Sequence, residues 1–71
     1  MTEELFIRIM DHLLQKADYA LEEKRLEKDE FSEGVLTGYY EVLDSIKSEL
    51  LVEGLDVSQY GLDIDLENTY S

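Results

Sequence analysis

Apolar side chains recur at helical spacing along residues 2–25, and charged or polar side chains fill the opposite face. At about 100° per residue, this spacing is that of an amphipathic helix. Thr2 can cap the first turn, and Glu3 and Glu4 suit the positive end of the helix dipole. We therefore predict a helix over residues 2–25 whose apolar face comprises Phe6, Ile9, Met10, Leu13, Leu14, Ala17, Ala20 and Leu21.

The apolar face does not continue through Lys24–Glu30, although this segment contains neither glycine nor proline. A continuous helix would put Lys24, Glu27 and Lys28 on the buried side. Asp29 is instead a suitable N-cap for a new helix. The pattern predicts a short connection here and hence a helical hairpin, with one uninterrupted helix as the alternative.

A second amphipathic helix is predicted over residues 30–53, followed by Gly54 in the left-handed conformation that ends many helices. Gly34 and Gly38 lie together on the flank of its apolar face. We interpret them as a place where another backbone can approach closely; the alternative is that one of them marks a frayed helix start. The apolar face is expected to pack on the first helix, and it comprises Phe31, Val35, Tyr39, Val42, Leu43, Ile46 and Leu50.

Residues 55–71 have a different character, because they contain no basic residue and alternate apolar with acidic side chains from Leu62 to Glu67. One helical turn over Asp56–Gln59, ending at Gly61, is expected first. The alternation then predicts an extended stretch with one apolar face, and the last four or five residues are expected to fray. The chain is thus divided into a helical hairpin, residues 1–54, and an acidic C-terminal segment, residues 55–71.

The predicted fold is all-α: an antiparallel two-helix hairpin with a partly extended acidic tail, dimerising into a four-helix bundle. A chain of 71 residues with no cysteine and one histidine has neither a disulfide nor a zinc site to reinforce a small core. Association with a second copy is the remaining source of stability. The residues predicted to self-associate are Phe6, Ile9, Leu13, Gly34, Gly38, Val42 and Ile46.

The charge of the chain limits the classes of partner that it can bind, because 18 acidic and 6 basic side chains give a net charge of −12. Such a protein is repelled by phosphates, so direct binding to nucleic acid or to an anionic membrane is not expected. A basic protein remains a possible partner; alternatively, the charge only keeps the chain soluble. The N-terminus lacks the positive charge of a signal peptide, and no apolar run can span a bilayer, so the cytoplasm is the expected location.

The second helix carries its acidic side chains on one face, and no Lys or Arg occurs from Phe31 through Ile46. On the first helix, by contrast, Arg8 can pair with Glu4 and Asp11. We interpret the acidic face as a docking surface with tyrosine anchors; the alternative is a solvated face. The residues predicted to bind a partner are Glu30, Glu33, Tyr40, Glu41, Asp44 and Tyr19.

No catalytic residue, metal ligand or cofactor is predicted. His12 is the only imidazole and lies on the polar side of the first helix. No glycine-rich phosphate loop or paired-histidine motif occurs. Asp63, Asp65 and Glu67 suggest calcium, but the segment lacks the glycine and the distal glutamate of an EF-hand. The sequence favours a small non-catalytic interaction protein, an adaptor or an inhibitor; the alternatives are a DNA mimic and a purely structural self-assembling protein.

Overall fold

Two long α-helices make up most of the chain. The computed structural model describes residues 1–71, of which 80% are helical and none is in a strand. Helix α1 spans Glu3–Glu27 and helix α2 spans Glu30–Val52, and the two pack together as a hairpin. A 3₁₀ helix, Val57–Tyr60, and a short helix α3, Leu66–Tyr70, follow. The predicted all-helical hairpin is confirmed.

Both long helices begin at the caps that the sequence predicts. The Leu5 amide donates to Oγ1 of Thr2 at 3.1 Å, and the Ser32 amide donates to a carboxylate oxygen of Asp29 at 2.8 Å. The second of these bonds favours the charged form and so lowers the pKa of Asp29. Each cap satisfies an amide that has no partner within its own helix, which fixes where the helix starts.

The connection between the helices is made at Lys28, the only non-glycine residue with a positive φ, 52°. The Lys28 amide still donates to the Lys24 carbonyl, at 2.9 Å, and the chain then leaves the helix. A side chain in the left-handed region costs about 1–2 kcal/mol. Burial of the apolar sides of α1 and α2 against each other offsets this cost.

Helix α2 ends in a Schellman motif centred on Gly54, whose φ is 76°. The Gly54 amide donates to the Leu51 carbonyl and the Leu55 amide donates to the Leu50 carbonyl, each at 3.0 Å. The left-handed role predicted for Gly54 is confirmed. It turns the chain so that the C-terminal segment runs back along the hairpin.

The core lies between the hairpin and the C-terminal segment. From α2 it takes Leu36, Leu43 and Leu50, which follow one another at intervals of seven residues. The other buried apolar side chains come from α1 and from the C-terminal segment: Met10, Ala17, Ala20, Tyr60, Leu62, Leu66 and Tyr70.

The predicted apolar face of α2 is wrong at three of its seven positions. Phe31 is 80% exposed, Val35 38% and Val42 49%, whereas Leu36, which was not predicted to be buried, is 2% exposed. The reason is that the C-terminal segment packs on α2 as well. The buried side of the helix is therefore turned toward that segment, and the row from Phe31 to Val42 is left outside.

The prediction for the C-terminal segment is wrong in its last part: no strand forms, and the residues expected to fray are in helix α3. Asp56 caps the 3₁₀ helix, which ends as expected at Gly61 with a φ of 74°. Beyond it, Asp65 caps α3 by accepting from the Asn68 amide at 3.3 Å. Tyr70, in the last turn, is only 3% exposed. Of the apolar residues that suggested a strand, Leu62 and Ile64 lie in the non-helical stretch before α3, and Leu66 is the first residue of α3. Burial of the last tyrosine holds the end of the chain in place.

Docking of the C-terminal segment covers one side of the hairpin and leaves the other side uncovered. The Cα atoms extend over 37 × 20 × 15 Å, so the molecule is elongated. Its accessible surface, 5041 Å², exceeds the value of about 4,600 Å² that is typical of a protein of this mass. An elongated shape exposes more surface for its mass than a spherical one.

We predict that Lys28→Gly raises the free energy of unfolding by about 1 kcal/mol, because glycine adopts a positive φ without the steric cost of a side chain. Chemical denaturation followed by circular dichroism measures this change.

The control is Glu27→Gly, one residue earlier, which should lower the free energy of unfolding by up to about 1 kcal/mol as glycine does inside helices. If α1 and α2 formed one uninterrupted helix, Lys28→Gly would be destabilising too.

Candidate interaction surfaces

The C-terminal segment and α2 enclose an open groove that is rich in carboxylates. We call it the acidic groove and define it by Tyr40 and Asp44 of α2 with Asp63, Asp65 and Glu67 of the C-terminal segment. The acids come from two parts of the chain that are distant in sequence. Folding of the C-terminal segment therefore creates the site.

Two interactions hold the C-terminal side of this groove in place. The Lys47 ammonium on α2 donates to the Ile64 carbonyl at 2.7 Å. Leu62 and Leu66, on either side of that carbonyl, are buried against the hairpin. Apolar burial thus supplies the free energy that brings several carboxylates together, and the hydrogen bond from Lys47 fixes their position.

The far end of the C-terminal segment is attached to α1. The Tyr70 hydroxyl donates to a carboxylate oxygen of Asp18 at 2.6 Å, across 52 residues of sequence. Burial of the ring raises the pKa of Tyr70, and the hydrogen bond to Asp18 and its negative charge raise it further. The short distance is typical of a charge-assisted hydrogen bond.

The charge in the acidic groove is not neutralised by ion pairs. Lys47 is the only basic side chain lining it. The single ion pair of the whole chain, Arg25 with Glu22 at 3.9 Å, lies far away on α1 and is exposed. Partial burial raises the pKa of Tyr40, and the carboxylates around it, led by Asp44, raise it further. A positively charged group would therefore be attracted to this groove.

The ion pairs expected for Arg8 on α1 do not form. Arg8 forms no ion pair with Glu4 or Asp11. Asp11 instead accepts a hydrogen bond from the Gln15 amide group at 2.9 Å. Helix α1 nevertheless carries the one ion pair of the chain, Arg25 with Glu22, whereas Lys47 is the only basic residue of α2.

The residues predicted to bind a partner fall into two places. Tyr40 and Asp44 line the acidic groove, and Glu30, Glu33 and Glu41 are exposed along the same helix. Tyr19 is 69% exposed and lies elsewhere, in a groove that also contains Phe31 and Val35. Asp63, Asp65 and Glu67 were missed as partners of Tyr40. Their spacing was interpreted as the outer face of a strand, although Asp65 three residues before Asn68 is also a helix-cap pattern.

The uncovered side of the hairpin carries a second surface, on which exposed apolar side chains lie beside acidic ones such as Glu23 and Glu27. We call it the open face and define it by Phe31, Val35 and Val42 of α2 with Ile9 and Leu13 of α1. The α2 members are exposed, and Ile9 and Leu13 are half-buried. Val42 and Asp44 are two positions apart, which is about 200° around a helix. The open face and the acidic groove are therefore on opposite sides of α2.

The residues predicted to self-associate are mostly on or beside the open face. Ile9, Leu13, Val42 and Ile46 are half-buried or exposed. A Cβ atom added to Gly34 or Gly38 would meet nothing within 4 Å, so no backbone of the same chain approaches there. Phe6 differs, because its ring packs against Tyr60 with centroids 5.2 Å apart. It belongs to the internal packing of the C-terminal segment.

The chain shows no further cluster of reactive groups. His12 is exposed, and no three His, Cys, Asp or Glu side chains converge in an arrangement that would hold a metal ion. No helix combines the length and the apolar character that crossing a bilayer requires.

Comparison with known proteins gives no relative: no protein-family model matches the chain, and no curated protein or solved structure is significantly similar to it.

We predict that Tyr70→Phe lowers the free energy of unfolding by about 1 kcal/mol, since it removes the hydrogen bond to Asp18 and keeps the ring. The raised pKa of Tyr70 means that folding favours the neutral phenol. The contribution of the neutral Tyr70 phenol to the free energy of unfolding is therefore complete below pH 10, and it is lost as the pH rises above that value. Denaturant unfolding at pH 7 and at increasing alkaline pH measures both effects.

Tyr19→Phe is the matched control, because that tyrosine is 69% exposed and should barely change stability. Equal stability of the Tyr70→Phe variant and the wild type at pH 7 would contradict the proposed attachment to α1.

Proposed function

We propose that this chain is a small, non-catalytic protein-interaction module of the cytoplasm, an adaptor or inhibitor, and that it binds a basic segment of another protein in the acidic groove. One observation carries this proposal: the acids of α2 and of the C-terminal segment converge around Tyr40, and no ion pair neutralises them. Carboxylates that have no ion-pair partner attract a cationic ligand, and this attraction supports the proposal.

The groove offers apolar contact as well as charge. Leu51, at one side of it, is 57% exposed, and the ring of Tyr40 is half-buried beside the acids. Lys and Arg side chains have long apolar stems and charged ends, so they can cover Leu51 and still reach a carboxylate. An Arg can also stack on an aromatic ring. A basic segment with some apolar residues therefore fits better than a simple cation.

The strength of such binding is limited by exposure to water. An exposed ion pair contributes at most about 1 kcal/mol and is screened by salt. Several pairs together with the apolar contact are needed for a stable complex. We therefore expect binding to weaken steeply as the salt concentration rises.

DNA mimicry is the narrower alternative, in which the partner's basic site is one that normally binds nucleic acid.

We propose, too, that the module works as a dimer of helical hairpins forming a four-helix bundle. The support is that one copy leaves Phe31, Val35 and Val42 exposed on the side of the hairpin opposite the acidic groove. A purely structural protein would need only this association and no partner in the groove.

Reversing charge in the groove tests the main proposal. The tagged chain is used to capture proteins from nuclease-treated lysate of its source at low salt. We expect one basic protein to be retained in a fixed ratio and to be lost when Asp44→Lys and Asp63→Lys are combined, because the groove then repels it.

The control combines Glu4→Lys and Glu22→Lys on α1, which changes the net charge equally and should keep the partner. Retention by both double variants would contradict the proposal, as would the absence of any partner. Release of the partner by added duplex DNA would identify DNA mimicry.

A further inference from the structure

We infer that the groove beside the connection of the hairpin binds an arginine side chain of a partner protein, held against aromatic rings and beside carboxylates. We call it the aromatic groove and define it by Tyr19 and Glu23 of α1 with Phe31, Val35 and Tyr39 of α2. It shares no lining residue with the acidic groove. The inference therefore goes beyond the proposed function and does not depend on a ligand in the acidic groove.

Both long helices contribute rings to this groove. Tyr19 comes from α1, and Phe31 and Tyr39 come from α2. Phe31 is 80% exposed and Tyr19 is 69% exposed, whereas Tyr39 is half-buried. The one close pair of rings in the chain, Phe6 with Tyr60, lies elsewhere. The face of an aromatic ring attracts a cation, so the exposed rings of the groove are free to receive one.

The carboxylates of the groove have no cation of their own. Glu23 is half-buried and Glu27 is exposed, and neither takes part in the single ion pair of the chain. Asp29 also lines the groove, but it caps α2 by accepting from the Ser32 amide at 2.8 Å. Lys16 is the only basic side chain of the groove, and it forms no ion pair. Three acids and one base leave the groove negative, so its charge is complementary to a cationic partner.

One of these carboxylates lies at the edge of a ring. Tyr19 and Glu23 are four residues apart on α1, so their side chains are neighbours on the helix surface. Hydrogen bonding with Glu23 and the negative charge of that carboxylate raise the pKa of Tyr19. A planar cation that stacks on the ring of Tyr19 therefore has a carboxylate within reach.

Arginine fits this combination better than lysine does. The guanidinium is planar, so it can lie flat on a ring while its N–H groups point to a carboxylate at the ring's edge. The lysine ammonium is a compact, strongly hydrated charge that cannot stack. The apolar stem of an arginine would also cover Val35, which is 38% exposed. The volume of the groove, about 580 Å³, lies within the range of roughly 300–1,000 Å³ that is usual for binding sites.

The aromatic groove shares Phe31 and Val35 with the open face. A second copy is disfavoured at this end of the face, because it would bring its own net charge of −12 toward Glu23 and Glu27. The inference therefore leaves the remainder of the open face, from Val42 onward, to the proposed dimer.

The test is an NMR titration of the full, isotope-labelled chain with a blocked five-residue peptide in which arginine alternates with alanine. We expect the signals of Tyr19, Phe31 and Val35 to shift together as the peptide is added. The same peptide with lysine in place of arginine should bind at this groove at least about two-fold more weakly, because it keeps the charge but cannot stack.

Phe31→Leu removes a ring and keeps an apolar side chain, and it cannot disturb the core because Phe31 is 80% exposed. It should weaken binding of the arginine peptide about two- to five-fold, as expected for loss of one exposed cation–π contact. Val42→Ala is the matched control: Val42 is exposed on the same helix but does not line the groove, so binding should be unchanged. Circular dichroism verifies that both variants keep their helices.

Equal affinity for the arginine and lysine peptides would overturn the inference, as would a Phe31→Leu variant that binds the arginine peptide as tightly as the wild type does. Self-association that buries the Phe31 ring in the absence of peptide would also overturn it, because a second copy would then be the occupant.

The same titration distinguishes the two grooves. Shifts confined to Tyr40 and Asp44 would support the acidic groove and overturn the aromatic one, and shifts confined to Tyr19 and Phe31 would do the reverse. Asp44→Asn combined with Asp63→Asn removes charge from the acidic groove only, so it should leave the shifts at Phe31 unchanged.

Discussion

Burial of the C-terminal segment against one side of the hairpin is the interaction on which the other surfaces depend. Leu62 and Leu66 are inserted beside the Leu36–Leu43–Leu50 row of α2, and Tyr70 reaches α1 through Asp18. Full burial of a leucine contributes about 1.5–3 kcal/mol, and a chain this small has few such contributions. The segment therefore completes the core. It also determines which side of the hairpin remains in contact with water.

The same burial accounts for the distribution of charge. Exposed acids repel one another weakly in water, so a few buried apolar side chains suffice to hold Asp63, Asp65 and Glu67 beside Asp44. The result is a molecule with two unlike sides: one groups carboxylates around an aromatic ring, and the other exposes apolar side chains of α2 with Glu23, Glu27 and Asp29 beside them. Each side suits a different kind of contact, and a change to one need not alter the other.

Much of the fold follows from local chemistry that a sequence displays. The caps at Thr2 and Asp29 and the left-handed Gly54 are set by neighbours within four residues, so they were predictable. The orientation of α2 about its axis was not predictable, because it depends on the C-terminal segment, which is distant in sequence and packs on this helix. The seven-residue interval of Leu36, Leu43 and Leu50 was the available signal. For the groove, the acids of α2 were predicted, but their neighbours across the groove required the tertiary fold.

The placement of the acidic groove and the open face on opposite sides of α2 has a consequence for valency. Two copies joined through their open faces would carry their grooves on the two outer surfaces, pointing away from each other. The two grooves of such a dimer could not both bind adjacent sites of one short peptide. The dimer would instead bridge two separate molecules, or engage a partner that is itself two-fold symmetric. If the partner is two-fold symmetric, binding in one groove holds the second site of the partner near the other groove at a high effective concentration. Two grooves that each bind weakly would then still give a long-lived complex.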